Sequence, residues 1–78
     1  MKTTKYFDTL SQRADRSAIR KAWIERVIRE PDYESTQADG RIRRWGRIEQ
    51  MDGRYLRVIL LRDGETVHNA LFDRGFKP

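Results

Sequence analysis

Between Arg41 and Arg47 the chain reads Arg-Ile-Arg-Arg-Trp-Gly-Arg, four guanidinium groups and an indole in a stretch that alternates like a β-strand. Successive strand residues point to opposite faces, so Arg41, Arg43, Trp45 and Arg47 fall on one side and Ile42, Gly46 and Ile48 on the other. Arginine pairs with phosphate through a planar fork, and an indole offers a plane on which a base can stack. Such a surface suits a nucleic acid. RNA cleavage without a metal would add a proton-transfer group and a cation at the charged phosphorane. Arginine supplies the cation; His68, the one imidazole in the sequence, is the side chain whose ordinary pKa suits proton transfer near neutrality.

Length and composition set the frame. Seventy-eight residues make one domain, and a chain that small buries only about 60% of the surface it exposes unfolded. The net charge of +5 favours an anionic partner. With no cysteine and one histidine, there is no disulfide framework, and neither a structural metal nor a cofactor is expected. The N-terminus lacks the apolar run of a signal peptide, and no apolar stretch reaches the roughly 20 residues a membrane span needs. The expectation is a cytoplasmic protein with no membrane partner.

Two groups of elements must position the candidate residues. The first, residues 1–30, reads as helical: a weak helix over Asp8 to Arg16, then a stronger one over Ala18 to Glu30. In the latter, Ile19, Trp23 and Val27 recur at i, i+4 and i+8, which predicts a buried Trp23. Pro31 stops that helix, since the residue before proline is pushed out of the helical region. Residues 33–36 can pair as a short edge strand. Arg41 to Gln50, Arg54 to Arg62 and Thr66 to Asp73 read as three strands punctuated by Asp52-Gly53 and Asp63-Gly64. The fold class that follows is α+β, with N-terminal helical segments packed on one face of a three- to four-stranded antiparallel sheet.

Loop length fixes register, and register decides which residues share a face. A two-residue Asp52-Gly53 loop would mix Trp45 and Arg47 with Val58 and Leu60. A three-residue Met51-Asp52-Gly53 loop gathers Ile42, Gly46, Ile48, Leu56, Val58 and Leu60 for the helix. It leaves Arg43, Trp45, Arg47, Tyr55 and Arg57 outside, and is preferred because burying unpaired guanidinium groups costs several kcal/mol each. Arg44 has the apolar parity and is expected at an edge. For His68 two positions stay open: opposite Ile59 on the arginine face if the Asp63-Gly64 loop has two residues, or on the helix-packed face with Ala70 and Phe72 if it has three.

Several strings carry a further signal: Trp23-Ile24-Glu25-Arg26-Val27-Ile28-Arg29-Glu30-Pro31-Asp32, Asp39-Gly40-Arg41-Ile42-Arg43-Arg44-Trp45, Gly53-Arg54-Tyr55-Leu56-Arg57-Val58, and Thr66-Val67-His68-Asn69-Ala70-Leu71-Phe72-Asp73-Arg74. Together they resemble a bacterial family of small uncharacterised domains placed in the RelE/ParE-like toxin superfamily. The resemblance implies helices packed on an antiparallel sheet, kinship with toxins that cut mRNA, often on the ribosome, or poison gyrase, and silencing by a small antitoxin-like protein. Where relatives often carry a His in the first helix, this chain reads Tyr6-Phe7-Asp8-Thr9-Leu10-Ser11-Gln12-Arg13.

Two functions are therefore expected as alternatives. One is a metal-independent endoribonuclease, with Arg57 and His68 catalytic and Arg43, Trp45, Arg47 and Tyr55 binding RNA. The other is a non-catalytic module that binds nucleic acid or protein through the same surface. The pair Asp73-Arg74, at the end of the last strand, is expected to set a carboxylate against a neighbouring guanidinium.

Overall fold

The computed structural model of the chain describes residues 1–78. Two helices, α1 (Lys5–Leu10) and α2 (Lys21–Arg29), precede four strands: β1 (Tyr33–Thr36), β2 (Ile42–Ile48), β3 (Arg54–Leu60) and β4 (Val67–Phe72). The strands form one antiparallel sheet in sequence order, β1-β2-β3-β4, so the architecture is α+β as expected. No helix is long and apolar enough to cross a membrane.

The first helix lies earlier than its expected span of Asp8 to Arg16. Thr4 caps it, its hydroxyl accepting the Phe7 N–H at 3.1 Å, and Phe7 and Leu10, one turn apart, are its buried residues. Residues 11–19 form turns. In α2 the buried residues are Ile24 and Val27, whereas Trp23 is only half-buried, its ring set edge-on to Phe72 at 6.2 Å. The stripe was legible, but it is centred one residue further round the helix than expected.

Ile24 and Val27 join Ile48, Leu56, Val58, Leu60, Val67 and Ala70 in the core between helices and sheet. Leu56, Val58 and Leu60 are fully buried, and each contributes about 1.5–3 kcal/mol over the exposed state. Helix and sheet meet closely at Gly46, where an added Cβ would come within 2.7 Å of Val27 Cγ2 and 2.8 Å of Arg26 Nη1.

Between β2 and β3 the loop has five residues instead of three. Glu49–Met51 form a 3₁₀ turn, Asp52 (φ 56°) and Gly53 (φ 71°) take left-handed conformations, and Ile48 pairs with Arg54. The added residues come as a pair, so parity is unchanged and both faces keep their expected membership. Across the outer face, one row runs Tyr33, Trp45, Arg57, Leu71 and another runs Ser35, Arg43, Ile59, Asn69.

The last hairpin contains both registers left open by the sequence. Leu60 pairs with Val67, as a two-residue loop requires, while Ile59 pairs with Asn69, as a three-residue loop requires. A bulge joins them, and His68 is the residue left over.

The two sheet edges differ. Along β4, Val67 N–H donates to Lys2 O at 2.9 Å and Thr4 N–H donates to Val67 O at 3.0 Å, making a parallel bridge. Further along, Arg16 Nη1 donates to Ala70 O at 3.0 Å and to Asn69 Oδ1 at 2.8 Å. The outer edge of β1 carries no such cover.

Candidate nucleic-acid interface

Trp45, expected as a stacking plane for a base, already has a ring on it. Phe76 returns from the C-terminal tail and stacks at 4.6 Å between centroids, with planes 16° apart. Tyr33 and Tyr55 meet Phe76 edge-on at 5.2 and 5.1 Å. Trp45 Nε1 donates to Asp73 Oδ2 at 2.9 Å, and the residue is only 8% exposed. A base has no access to it. Strand alternation places Trp45 on the outer face but carries no information about a tail beyond the last strand.

The same Asp73 oxygen lies 3.5 Å from Arg57 Nη1, so the expected carboxylate–guanidinium pairing exists, with Arg57 as the cation. Arg47 Nη1 sits 3.1 Å from Glu49, and its Nε donates to Gly53 O at 3.3 Å. Arg43 differs: its guanidinium lies over the Trp45 ring at 5.9 Å and has no carboxylate within ion-pair distance. Nε of Arg43, Nε of Arg57 and Oγ of Ser35 are all without partners. Arg44, on the helix side, binds Glu34 at 2.6 Å and donates to Ile28 O at 2.9 Å. It thereby satisfies a carbonyl near the C-terminus of α2, where positive charge is favoured.

His68 packs against the start of α1 and not beside Arg57. Its Nδ1 is 3.1 Å from Thr4 Oγ1, and its ring stacks on Tyr6 at 4.8 Å. Because Thr4 Oγ1 already accepts from Phe7 N–H, its own proton is available to Nδ1, which suits a neutral ring protonated at Nε2. Burial first, and the charge of Arg41 second, hold the pKa of His68 below its ordinary 6.5, while Asp39 opposes them. Arg57 pairs with Leu71, three residues along β4 from His68, about 10 Å at strand spacing. The two candidate catalytic residues are not brought to one site.

A cleft of about 700 Å³ opens where β1 begins beside the end of β2, lined by residues that include Trp23, Arg26, Asp32, Tyr33, Arg47, Glu49 and Tyr55. No family model, curated protein or solved structure matches this chain. The cleft therefore has to be read from its own chemistry. Asp32 follows the helix-stopping Pro31; its Oδ2 accepts the Arg47 N–H at 2.8 Å and lies 3.9 Å from Arg26 Nη2. Arg26 Nη1 is buried against Gly46 without a partner.

Of the residues expected to bind nucleic acid, Arg47 and Tyr55 reach this cleft, and Arg43, Trp45 and Arg57 do not line it. Trp23, Arg26, Asp32, Tyr33 and Glu49 were not expected there. A signal existed for two of them, since Trp23 and Arg26 stand one turn apart on a helix and share a face.

Proposed function

We propose that the protein is a non-catalytic module that binds single-stranded RNA on the outer face of its sheet. Arg43, Arg47 and Arg57 hold phosphates there, and Tyr33 and Tyr55 take the stacking role that the sequence suggests for Trp45. The observation that carries this reading is the pairing of Trp45 with Arg57 and of Arg47 with Tyr55, which gathers three guanidinium groups and two tyrosines on adjacent strands of a +5 chain. Kinship with RelE/ParE-like toxins, and with it a ribosomal RNA target or an antitoxin-like partner, rests on the sequence strings; helices on one face of an antiparallel sheet are compatible with it.

A toxin-type endoribonuclease needs its proton-transfer group within hydrogen-bond reach of the reacting oxygens while a cation holds the same phosphate. With His68 bonded to Thr4 and stacked on Tyr6, and Arg57 paired with Asp73, binding without cleavage fits the geometry better. The test is the salt dependence of binding to a labelled oligouridine. Three phosphate contacts give a slope of about −2 in log K against log salt for a single strand. Replacing Arg43, Arg47 and Arg57 together with Gln should remove that slope; a flat dependence in the parent protein overturns the reading. Strand cleavage that is lost in His68→Ala would restore the nuclease.

A further inference from the structure

We infer that the cleft between α2 and the end of β2 recognises a guanine base. This rests on the RNA-binding reading and names the base the module would select. Charge argues first. The two cations of the cleft, Arg26 and Arg47, each have a carboxylate nearby, Asp32 at 3.9 Å and Glu49 at 3.1 Å. Its charge therefore sums to zero, so while Arg47 can hold a backbone phosphate at the rim, an anionic group lying between Asp32 and Glu49 would meet both carboxylates. An uncharged ligand fits better.

Shape and polarity then narrow the class. Trp23, Tyr33 and Tyr55 are among the residues that line the cleft, and Tyr33, 43% exposed, offers apolar surface to a planar ring. The polar groups left to a base are of two kinds: carboxylate acceptors on Asp32 and Glu49, and guanidinium donors on Arg26, Arg47 being the phosphate contact at the rim. Glu49 is 73% exposed, and Asp32 uses only Oδ2 for its contacts with Arg47 and Arg26.

Among the four bases of RNA, guanine alone offers two adjacent N–H donors, at N1 and its 2-amino group, which a carboxylate can take together. Beside them it carries the O6 and N7 acceptors that arginine pairs with bidentately. Adenine, cytosine and uracil each set a donor next to an acceptor on the pairing edge, and would leave a carboxylate facing a lone pair. An unstacked base read on its edges while lying against aromatic side chains is the usual way RNA is recognised in sequence.

The experiment measures binding of short labelled oligouridines with guanine, adenine or cytosine at the central position. Guanine should tighten binding about tenfold over adenine, the discrimination expected of one good bidentate pair. Glu49→Gln, which leaves one acceptor oxygen where guanine's two N–H donors need two, should bring the guanine-over-adenine ratio close to one, the ratio being taken within the variant so that any change in its oligouridine binding through Arg47 cancels. Equal affinity for all three strands alongside measurable oligouridine binding overturns the base assignment and leaves the RNA reading standing. Failure to bind any strand overturns the RNA reading instead. A titration with guanosine then decides the cleft by itself: quenching of tryptophan emission that exceeds the adenosine control and is lost in Trp23→Phe supports a guanine site, and no quenching overturns it.

Discussion

Phe76 lies flat on Trp45, four residues beyond the last strand, and closes a small aromatic cluster on the sheet face opposite the helices. The sheet is thus covered on both sides at this end: by α2 on one face and by the tail, with Tyr33 and Tyr55 at its flanks, on the other. The indole N–H is satisfied by Asp73, so its polar edge is not left bare in that cluster.

Replacing Phe76 with Ala should therefore expose Trp45 without unfolding the helix-side core. The expected result is a red-shifted tryptophan emission and a loss of about 2 kcal/mol in denaturant unfolding, the scale of a large apolar side chain leaving a partly buried site. Unchanged emission would mean that the tail is not docked in solution.

Gly46→Ala tests the other face. The new methyl would meet Val27 and Arg26 at separations real side chains do not tolerate, and forced overpacking of this kind costs about 1–3 kcal/mol. Thermal or urea denaturation reads it directly, and Val27→Ala in the same chain should recover part of the loss by making room.

Stability should fall as the solution is acidified below pH 6.5. His68 has a folded-state pKa below its ordinary 6.5, so the unfolded chain takes up a proton first. Its contribution is present above 6.5 and is lost as pH drops toward the folded value. Protonation at Nδ1 would also end acceptance from Thr4, the cap of α1. Unfolding curves from pH 7 to 5 should show this slope in the parent protein and a smaller one in His68→Gln.

Asp63 acts in the same sense at lower pH. The hydroxyl of Thr66 donates to its carboxylate at 2.6 Å, joined by the N–H groups of Thr66 and Glu65 at 2.9 Å each, and these bonds lower its pKa from 3.8 to about 2. The stability it contributes is complete above 3.8 and disappears as pH falls through about 2. An NMR titration should place its midpoint there, and Thr66→Val should move the midpoint upward.

Arg43 and Arg44 are adjacent but should differ in solution. Arg43 stands on the outer face without a carboxylate, whereas Arg44 is held by Glu34 and the Ile28 carbonyl. Arg43→Gln should reduce the salt slope of RNA binding by about 0.7. Arg44→Gln should leave the slope alone and lower thermal stability.

The faces of β2 and β3 were legible because alternation survives any even change in loop length, so the 3₁₀ turn at Glu49–Met51 moved the register and kept the faces. His68 was not legible. Its position depends on a bulge, and the local strings fit either register equally well. Trp45 was assigned to the correct face, but its availability was set by Phe76, which no periodicity connects to it. Thr4 is not legible as a cap, because a cap precedes the pattern it starts and the helix here is too short to show a stripe. The cleft was invisible for a similar reason: it joins a helix turn, a corner and a loop whose separations in the chain follow no period.

The unequal edges of the sheet limit how copies of this protein can join. Along β4 the N-terminal segment and the Arg16 guanidinium occupy backbone groups that another strand would need, while β1 presents Tyr33–Thr36 with one side free. A sheet with a single available border can be continued once: two molecules meeting β1 to β1 would use up each other's border, and no third could be added. Growth by strand addition is thereby terminated at the pair, a protection against fibrils supplied by residues 2–4 and by Arg16.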